Sequence, residues 1–135
     1  WEMSSFYLSL NAPGCRGTCL ILDEHVQPLA RSWCLFEFLQ TIKRKESAIN
    51  QADHFQGLYF CTSSGVVNTG EASVEVVLNI GKELSRLRLE NAKASAIQDK
   101  AMIDGLVVSE LGSFAAINNK LRSYTMDALI ACQQA

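Results

Sequence analysis

The sequence predicts an open parallel α/β domain with helices on both faces of the sheet. Residues 18–22 and 57–61 are short continuous apolar runs, which are typical of strands buried on both faces. Amphipathic helical segments alternate with these runs, and strands joined through helices lie parallel in one sheet. A chain of 135 residues suits a single domain, so we assign residues 1–135 to one unit.

The composition fits a folded domain and limits the classes of partner. Hydrophobic residues make up 48% of the chain and charged residues 19%, which supplies a core and leaves too little charge for a disordered tail. The net charge of −2 gives no electrostatic reason to bind nucleic acid or an anionic membrane. No uncharged apolar run reaches the roughly 20 residues of a transmembrane helix. The odd count of five cysteines favours a reducing intracellular compartment, either cytoplasm or organelle stroma.

Local signals define the elements of the first half of the chain. Residues 3–10 are predicted to form a short helix capped by Ser4 or Ser5, and a Pro-Gly turn follows it. After the strand at 18–22, apolar residues recur at helical spacing over residues 32–46. The strand–helix–strand order in this half is the basis of the parallel sheet.

Turn and capping residues define the second half. Residues 62–65 are predicted to form a loop after the second strand, and Ser73 suits the cap of a helix that ends near residue 84. The polar–apolar alternation at 86–89 indicates a short strand near a sheet edge. A helix is predicted over residues 92–110, and Ser113 suits the cap of a last helix.

The start of the helix at 32–46 resembles a known signature. Ser32, Trp33 and Cys34 are followed three residues later by Glu37, shortly after a predicted strand. TIR domains carry such a Ser-Trp-Cys-x-x-Glu helix, so the segment is similar to theirs. The resemblance implies a flavodoxin-like sheet, in which the first strand is central.

A closer resemblance covers nearly the whole chain. It is to a TIR-related family that is abundant in dinoflagellates, diatoms and other protists. The further matching positions are Ser5-Phe6-Tyr7, Leu22-Asp23-Glu24, Pro28, Arg31, Phe36, Cys61-Thr62, Ala92, Ala94, Asp99, Gly112, Phe114 and Asn118. Members of that family begin with a further strand that ends near an Asn-Asn-Gln-Trp segment, and Trp1 is similar to its last residue. We therefore expect this chain to be the carboxy-terminal part of the domain, without its first strands.

Without those strands, the strand at 18–22 becomes an edge of the sheet. It contains no charge, proline or bulge signal that would keep an edge from pairing with another chain. We therefore expect an upstream segment or a neighbouring protein to cover it. This interaction edge consists of Thr18, Cys19, Leu20, Ile21 and Leu22.

Glu37 is the candidate catalytic residue, and the resemblance alone points to it. In TIR domains that cleave NAD, the glutamate of this motif is catalytic, because a carboxylate in a cleft can stabilise an oxocarbenium-like centre. NAD would then be a substrate, and no cofactor is implied. The alternative is a structural or solvent-facing Glu37, as in TIR domains that only bind partners.

Asp23 and Glu24 follow the first strand, at the edge where open α/β sheets bind ligands. Either they hold a ribose hydroxyl or a metal, or they cap the following turn. Cys15, Cys19 and His25 make a poor zinc set because no second ligand pair accompanies them, and no metal site is predicted.

Three functions are compatible with these features. The first is a non-catalytic TIR-like module, a scaffold that binds protein partners within a larger assembly. The second is an NAD-cleaving hydrolase that uses Glu37. The third is an accessory subunit of an organellar complex in a photosynthetic protist, which the distribution of the family suggests. The absent first strand favours the interaction role over catalysis.

Overall fold

The computed structural model describes residues 1–23, 25–47 and 54–134. Within them the chain has five helices and a small three-stranded sheet, so the mixed α/β class is confirmed, whereas the all-parallel sheet is not. The helices are α1 (Ser5–Leu10), α2 (Ser32–Ser47), α3 (Val74–Arg86), α4 (Ile97–Leu111) and α5 (Phe114–Gln134). The strands are β1 (Thr18–Ile21), β2 (Leu58–Thr62) and β3 (Gly65–Val66).

The sheet has the order β1-β2-β3 and is only partly parallel. β1 and β2 pair in parallel, as predicted for strands on either side of a helix, whereas β2 and β3 pair antiparallel. The two-residue connection between β2 and β3 requires this, since a tight turn reverses the chain. Gly65 has φ of +131° and a Cβ there would lie 2.8 Å from Cβ of Glu71, so this turn depends on glycine.

The core lies on one side of the sheet. Leu58 and Phe60 are buried, and Phe60 lines a small cavity together with apolar residues of α3 and α5. Burial alternates along β1. Cys19 and Ile21 are exposed, whereas Thr18 and Leu20 are partly covered. The described residues therefore cover β1 on one face only, and the expectation of helices on both faces does not hold for this strand.

Helix starts agree with the predicted caps. The Ser73 hydroxyl accepts a hydrogen bond from the Val76 amide at the start of α3, and the Ser113 hydroxyl accepts one from the Ala116 amide at the start of α5. Ser4 does the same for α1. In each case the serine satisfies an amide that has no partner within the helix.

The predicted strand at 86–89 is wrong. Arg86 ends α3, and Leu89 begins a single 3-10 turn that runs to Asn91. The Leu89 side chain is fully buried, and its amide donates to the Oδ1 of Asn118 instead of to a neighbouring strand. A side chain from α5 therefore supplies the hydrogen-bond acceptor that a neighbouring strand would otherwise supply.

The predicted start of α4 at residue 92 is also wrong, since the helix begins at Ile97. The Lys93 amide donates to the carbonyl of Ala30, and the Lys93 carbonyl accepts from the amide of Ser32. These two bonds hold the chain extended before α4. They also fix the start of α2, where Ser32 is fully buried.

Candidate functional site

The free edge of β1 is the first part of the candidate site. The Thr18 amide donates to the Gly57 carbonyl and the Leu22 amide donates to the Cys61 carbonyl, both at 2.8 Å. Backbone groups alternate in direction along a strand, so the amides and carbonyls of Cys19 and Ile21 point away from β2. Within the described residues no strand lies beyond β1. The predicted edge at 18–22 thus lies at the edge of the sheet.

The same two residues carry the exposed side chains of β1. Ile21 is 72% exposed, which is unusual for a residue of its size within a strand. Cys19 lies beside it on the same face and is also exposed. An uncharged edge with an exposed apolar side chain is the form of edge that pairs with another chain.

An open cleft of about 720 Å³ lies at the carboxyl ends of β1 and β2, next to Ile21. Its apolar lining consists of Ile21, Leu22, Pro28, Val76 and Ile80. Its polar lining consists of Asp23, Thr62, Ser63, Glu75 and Asn79. The cleft therefore has two carboxylates, and no lysine or arginine is among the residues that line it.

Asp23 lines this cleft, as its position after β1 predicted, and it also shapes the turn. One of its carboxylate oxygens accepts hydrogen bonds from the amides of His25 and Gln27, at 3.1 and 3.0 Å. The turn contains Val26, which is buried and has φ of 49°, a strained value for a β-branched residue. Asp23 thus caps the turn, and Glu24, the other predicted ligand, lies outside the described residues.

A second cleft of about 520 Å³ shares Asp23 and Pro28 with the first. Arg31 and Lys93 line it and give it a cationic character. The two clefts that meet at Asp23 therefore differ in charge. The first adds the carboxylate of Glu75, and the second adds the cations of Arg31 and Lys93. Sequence reasoning placed Arg31 in a motif and did not place Lys93 at any site.

Glu37 lies on the side of α2 that faces β1. The Thr41 hydroxyl, one turn further along, donates to the Glu37 carbonyl and accepts from the hydroxyl of Thr18, each at 2.8 Å. The Glu37 side chain is half-buried, and burial raises its pKa while Arg31 opposes that rise. Glu37 lines neither of the two clefts.

Other residues of the matched motifs have structural roles. The indole nitrogen of Trp33 donates to Asp99 at 3.1 Å and thereby joins α2 to α4. Asn118 binds both the Leu89 amide and the Glu90 carboxylate. In the loop after β2, the Thr62 hydroxyl accepts from the Ser64 amide and donates to the Gly65 carbonyl, as in a simple turn.

Sequence reasoning missed the contribution of α3 to the cleft. Glu75, Val76 and Asn79 come from its first turns. The Ser73 amide donates to the hydroxyl of Ser64, which brings the start of α3 next to the loop that follows β2. The predicted cap at Ser73 was the signal that could have located these residues.

Two further findings concern metal sites and membrane spans among the described residues. No group of three or more His, Cys, Asp or Glu side chains there converges on a metal-sized site. No single helix there is long and apolar enough to cross a membrane, although α4 and α5 together, bent by 80°, pass the test of length and composition.

Comparison with known proteins adds no assignment. No family model matches the sequence, and no significant match is found to a curated protein or to a solved structure. The TIR-like resemblance accordingly remains a prediction from the motifs.

Proposed function

We propose that this chain is a non-catalytic, TIR-like protein–protein interaction module that binds an extended segment of a partner at the free edge of β1. The single observation that carries the proposal is the pair of outward-facing backbone units at Cys19 and Ile21. Each offers one donor and one acceptor, and strand addition uses such groups for affinity. The parallel β1–α2–β2 unit supports the flavodoxin-like form of the proposal.

The cleft beside Ile21 indicates the chemistry of the bound segment. A strand laid along β1 would continue past Leu22 to the cleft, whose apolar lining suits one aliphatic side chain. Asp23 and Glu75 at the same cleft favour a lysine or arginine close to that side chain. The partner is therefore an extended apolar segment that carries a positive charge.

A peptide library tests this proposal directly. A displayed library of random peptides is selected on the full chain, and enriched peptides are synthesised and titrated. We expect enriched sequences to alternate apolar and polar residues and to contain lysine or arginine. Peptides with no common pattern, or none enriched above the unselected library, would contradict the proposal.

A matched pair of variants separates the backbone contribution from that of the side chain. Ile21→Ala removes the side chain and keeps the free amide, whereas Ile21→Pro removes both. Because this amide does not pair with β2, Ile21→Pro should stay folded by circular dichroism. We expect it to bind an enriched peptide roughly 3- to 10-fold more weakly than Ile21→Ala, the effect of one hydrogen bond. Equal affinities would refute strand addition.

An NAD-cleaving hydrolase is the second candidate. The observation in its favour is the half-buried Glu37, whose pKa is raised by burial, since perturbed carboxylates recur at catalytic sites. Nicotinamide release is measured for the chain, for Glu37→Gln and for Glu46→Gln, a control at the exposed end of the same helix. Release that Glu37→Gln abolishes and Glu46→Gln retains would support catalysis; no release at all would refute it.

The role of accessory subunit in an organellar complex is a more specific form of the first proposal. It rests on the same free edge, and its test is co-purification of the native protein. A subunit stays with its complex through size exclusion, whereas a free module elutes alone.

A further inference from the structure

Two cysteines lie side by side on the exposed face of the sheet, and their side chains, unlike the Cys19 backbone, are not used by the proposed function. Cys19 pairs with Tyr59 across the β1–β2 ladder, and Ile21 pairs with Cys61. Cys19 and Cys61 are therefore diagonal neighbours whose side chains leave the same face of the sheet. Both are free thiols; Cys19 is exposed and Cys61 is partly covered.

The two thiols interact with each other. Burial raises the pKa of the Cys61 thiol, and a hydrogen bond with the Cys19 thiol adds to this effect. The carboxylate of Glu71 raises it further.

The geometry suits a bridge of one atom better than a disulfide. Strands lie about 4.8 Å apart and two residues advance about 6.6 Å, so diagonal Cα atoms are about 8 Å apart. Disulfides need Cα atoms within about 6.8 Å. With metal–sulfur bonds of about 2.3 Å, a bridging ion spans a sulfur–sulfur gap of about 4.6 Å, more than twice the length of an S–S bond.

The ligand number selects the ion. Zinc prefers four protein ligands in a structural site, and among the described residues no third metal-binding side chain converges on this pair. Soft thiolates select Cu(I), which accepts two sulfur ligands in a linear arrangement. We propose that Cys19 and Cys61 form a two-coordinate site for a soft monovalent cation of the Cu(I) class. Two thiols lose two protons to one Cu(I), so the bound site carries one negative charge and binding strengthens as pH rises.

Competition with a chromogenic Cu(I) chelator, bicinchoninate, tests the site in the full chain under anaerobic conditions. We expect one Cu(I) to bind per chain, with X-ray absorption showing two sulfur ligands. Changes in the outer shell of a metal site weaken binding up to about 100-fold, so loss of one ligand in Cys19→Ser or Cys61→Ser should exceed about 100-fold. Cys15→Ser and Cys132→Ser, at thiols away from this face, are the matched controls and should bind as the unaltered chain does.

Circular dichroism establishes that each serine variant is folded, which keeps a loss of binding interpretable. Undiminished Cu(I) affinity in folded Cys19→Ser would overturn the proposal. So would a third sulfur or nitrogen ligand in the absorption spectrum. A Cys19–Cys61 disulfide formed by oxidised glutathione in the folded chain would overturn it as well, because the thiols would then lie closer than the strand geometry allows. Ag(I) is the air-stable probe of the same chemistry and should give the same order of variants.

Discussion

The two edges of the sheet differ in how their backbone groups are satisfied. On the far side of β2, the Phe60 amide donates to the Oδ1 of Asn68 at 2.7 Å, and the Asn68 side-chain amide donates to the Leu58 carbonyl at 3.2 Å. One side chain thus takes the place of a neighbouring strand, and β3 covers the remainder of that edge. On β1, no described residue provides such a substitute for the backbone groups of Cys19 and Ile21.

The difference shows that a buried or half-buried asparagine can satisfy backbone groups that have no neighbouring strand. The Oδ1 of Asn118 accepts a hydrogen bond from the Leu89 amide, just as the Oδ1 of Asn68 accepts one from the Phe60 amide of β2. Unpaired backbone groups cost free energy when water is excluded, and the asparagine amide supplies both a donor and an acceptor. Within the described part of the sheet, the open edge of β1 therefore differs from the closed edge of β2, which is why we assign it a function.

Loss of the closed edge should have the largest effect. Asn68→Ala leaves the Phe60 amide and the Leu58 carbonyl without partners, and each loss costs about 1–3 kcal/mol. We expect the free energy of unfolding to fall by about 2–6 kcal/mol in urea titrations. Asn68→Asp keeps the acceptor and loses the donor, so it should fall between Asn68→Ala and the unaltered chain. Equal stability of all three would show that this edge does not need closing.

The second asparagine should have a smaller effect, because it serves one backbone group. Asn118→Ala removes the acceptor of the buried Leu89 amide and a bond to Glu90, and should cost about 1–3 kcal/mol. Asn119→Ala is the control on the adjacent, exposed position of α5 and should change stability by less than about 0.5 kcal/mol. Equal stability of Asn118→Ala and Asn119→Ala would show that the Leu89 amide does not depend on the Asn118 side chain.

Glu37, half-buried on α2, should have the smallest effect and a pH dependence. Burial raises its folded pKa, so the fold favours the protonated carboxyl and loses stability as pH rises through that pKa. Glu37→Gln removes this loss. Its stability relative to the unaltered chain should therefore increase from about pH 4 to about pH 7.

Chemical denaturation at both pH values measures this trend. Glu2→Gln, at an exposed position, changes the net charge equally and serves as the control. A difference that stays constant with pH, or that shrinks as pH rises, would show that burial does not govern Glu37.

Much of the fold followed from local signals in the sequence. The parallel pair β1 and β2, the helix α2 between them and the caps at Ser73 and Ser113 each have a signal within a few residues. Where prediction failed, a distant contact had replaced the local preference. The alternation at 86–89 indicated a strand, yet Asn118, 29 residues from Leu89, satisfies that amide.

The candidate site likewise contains some residues that the sequence predicted and others that only packing placed there. The position of Asp23 after a strand predicted its place at the carboxyl edge, and the cleft there includes it. The contribution of Glu75 and Asn79 could not be predicted, because it depends on how α3 packs over the end of the sheet. The thiol pair is similar: residues 42 positions apart in sequence become neighbours only through the register of β1 and β2.

The sequence by itself determined where β1, β2, α2 and α3 form, since hydrophobic periodicity and serine caps act over a few residues. It also determined that β1 is uncharged and without proline, and hence able to pair. Only the tertiary structure decided which backbone groups of the sheet stay open. That outcome depends on side chains such as Asn68 reaching across from other segments, and hydrogen bonds form only within about 3 Å, a distance that packing alone sets.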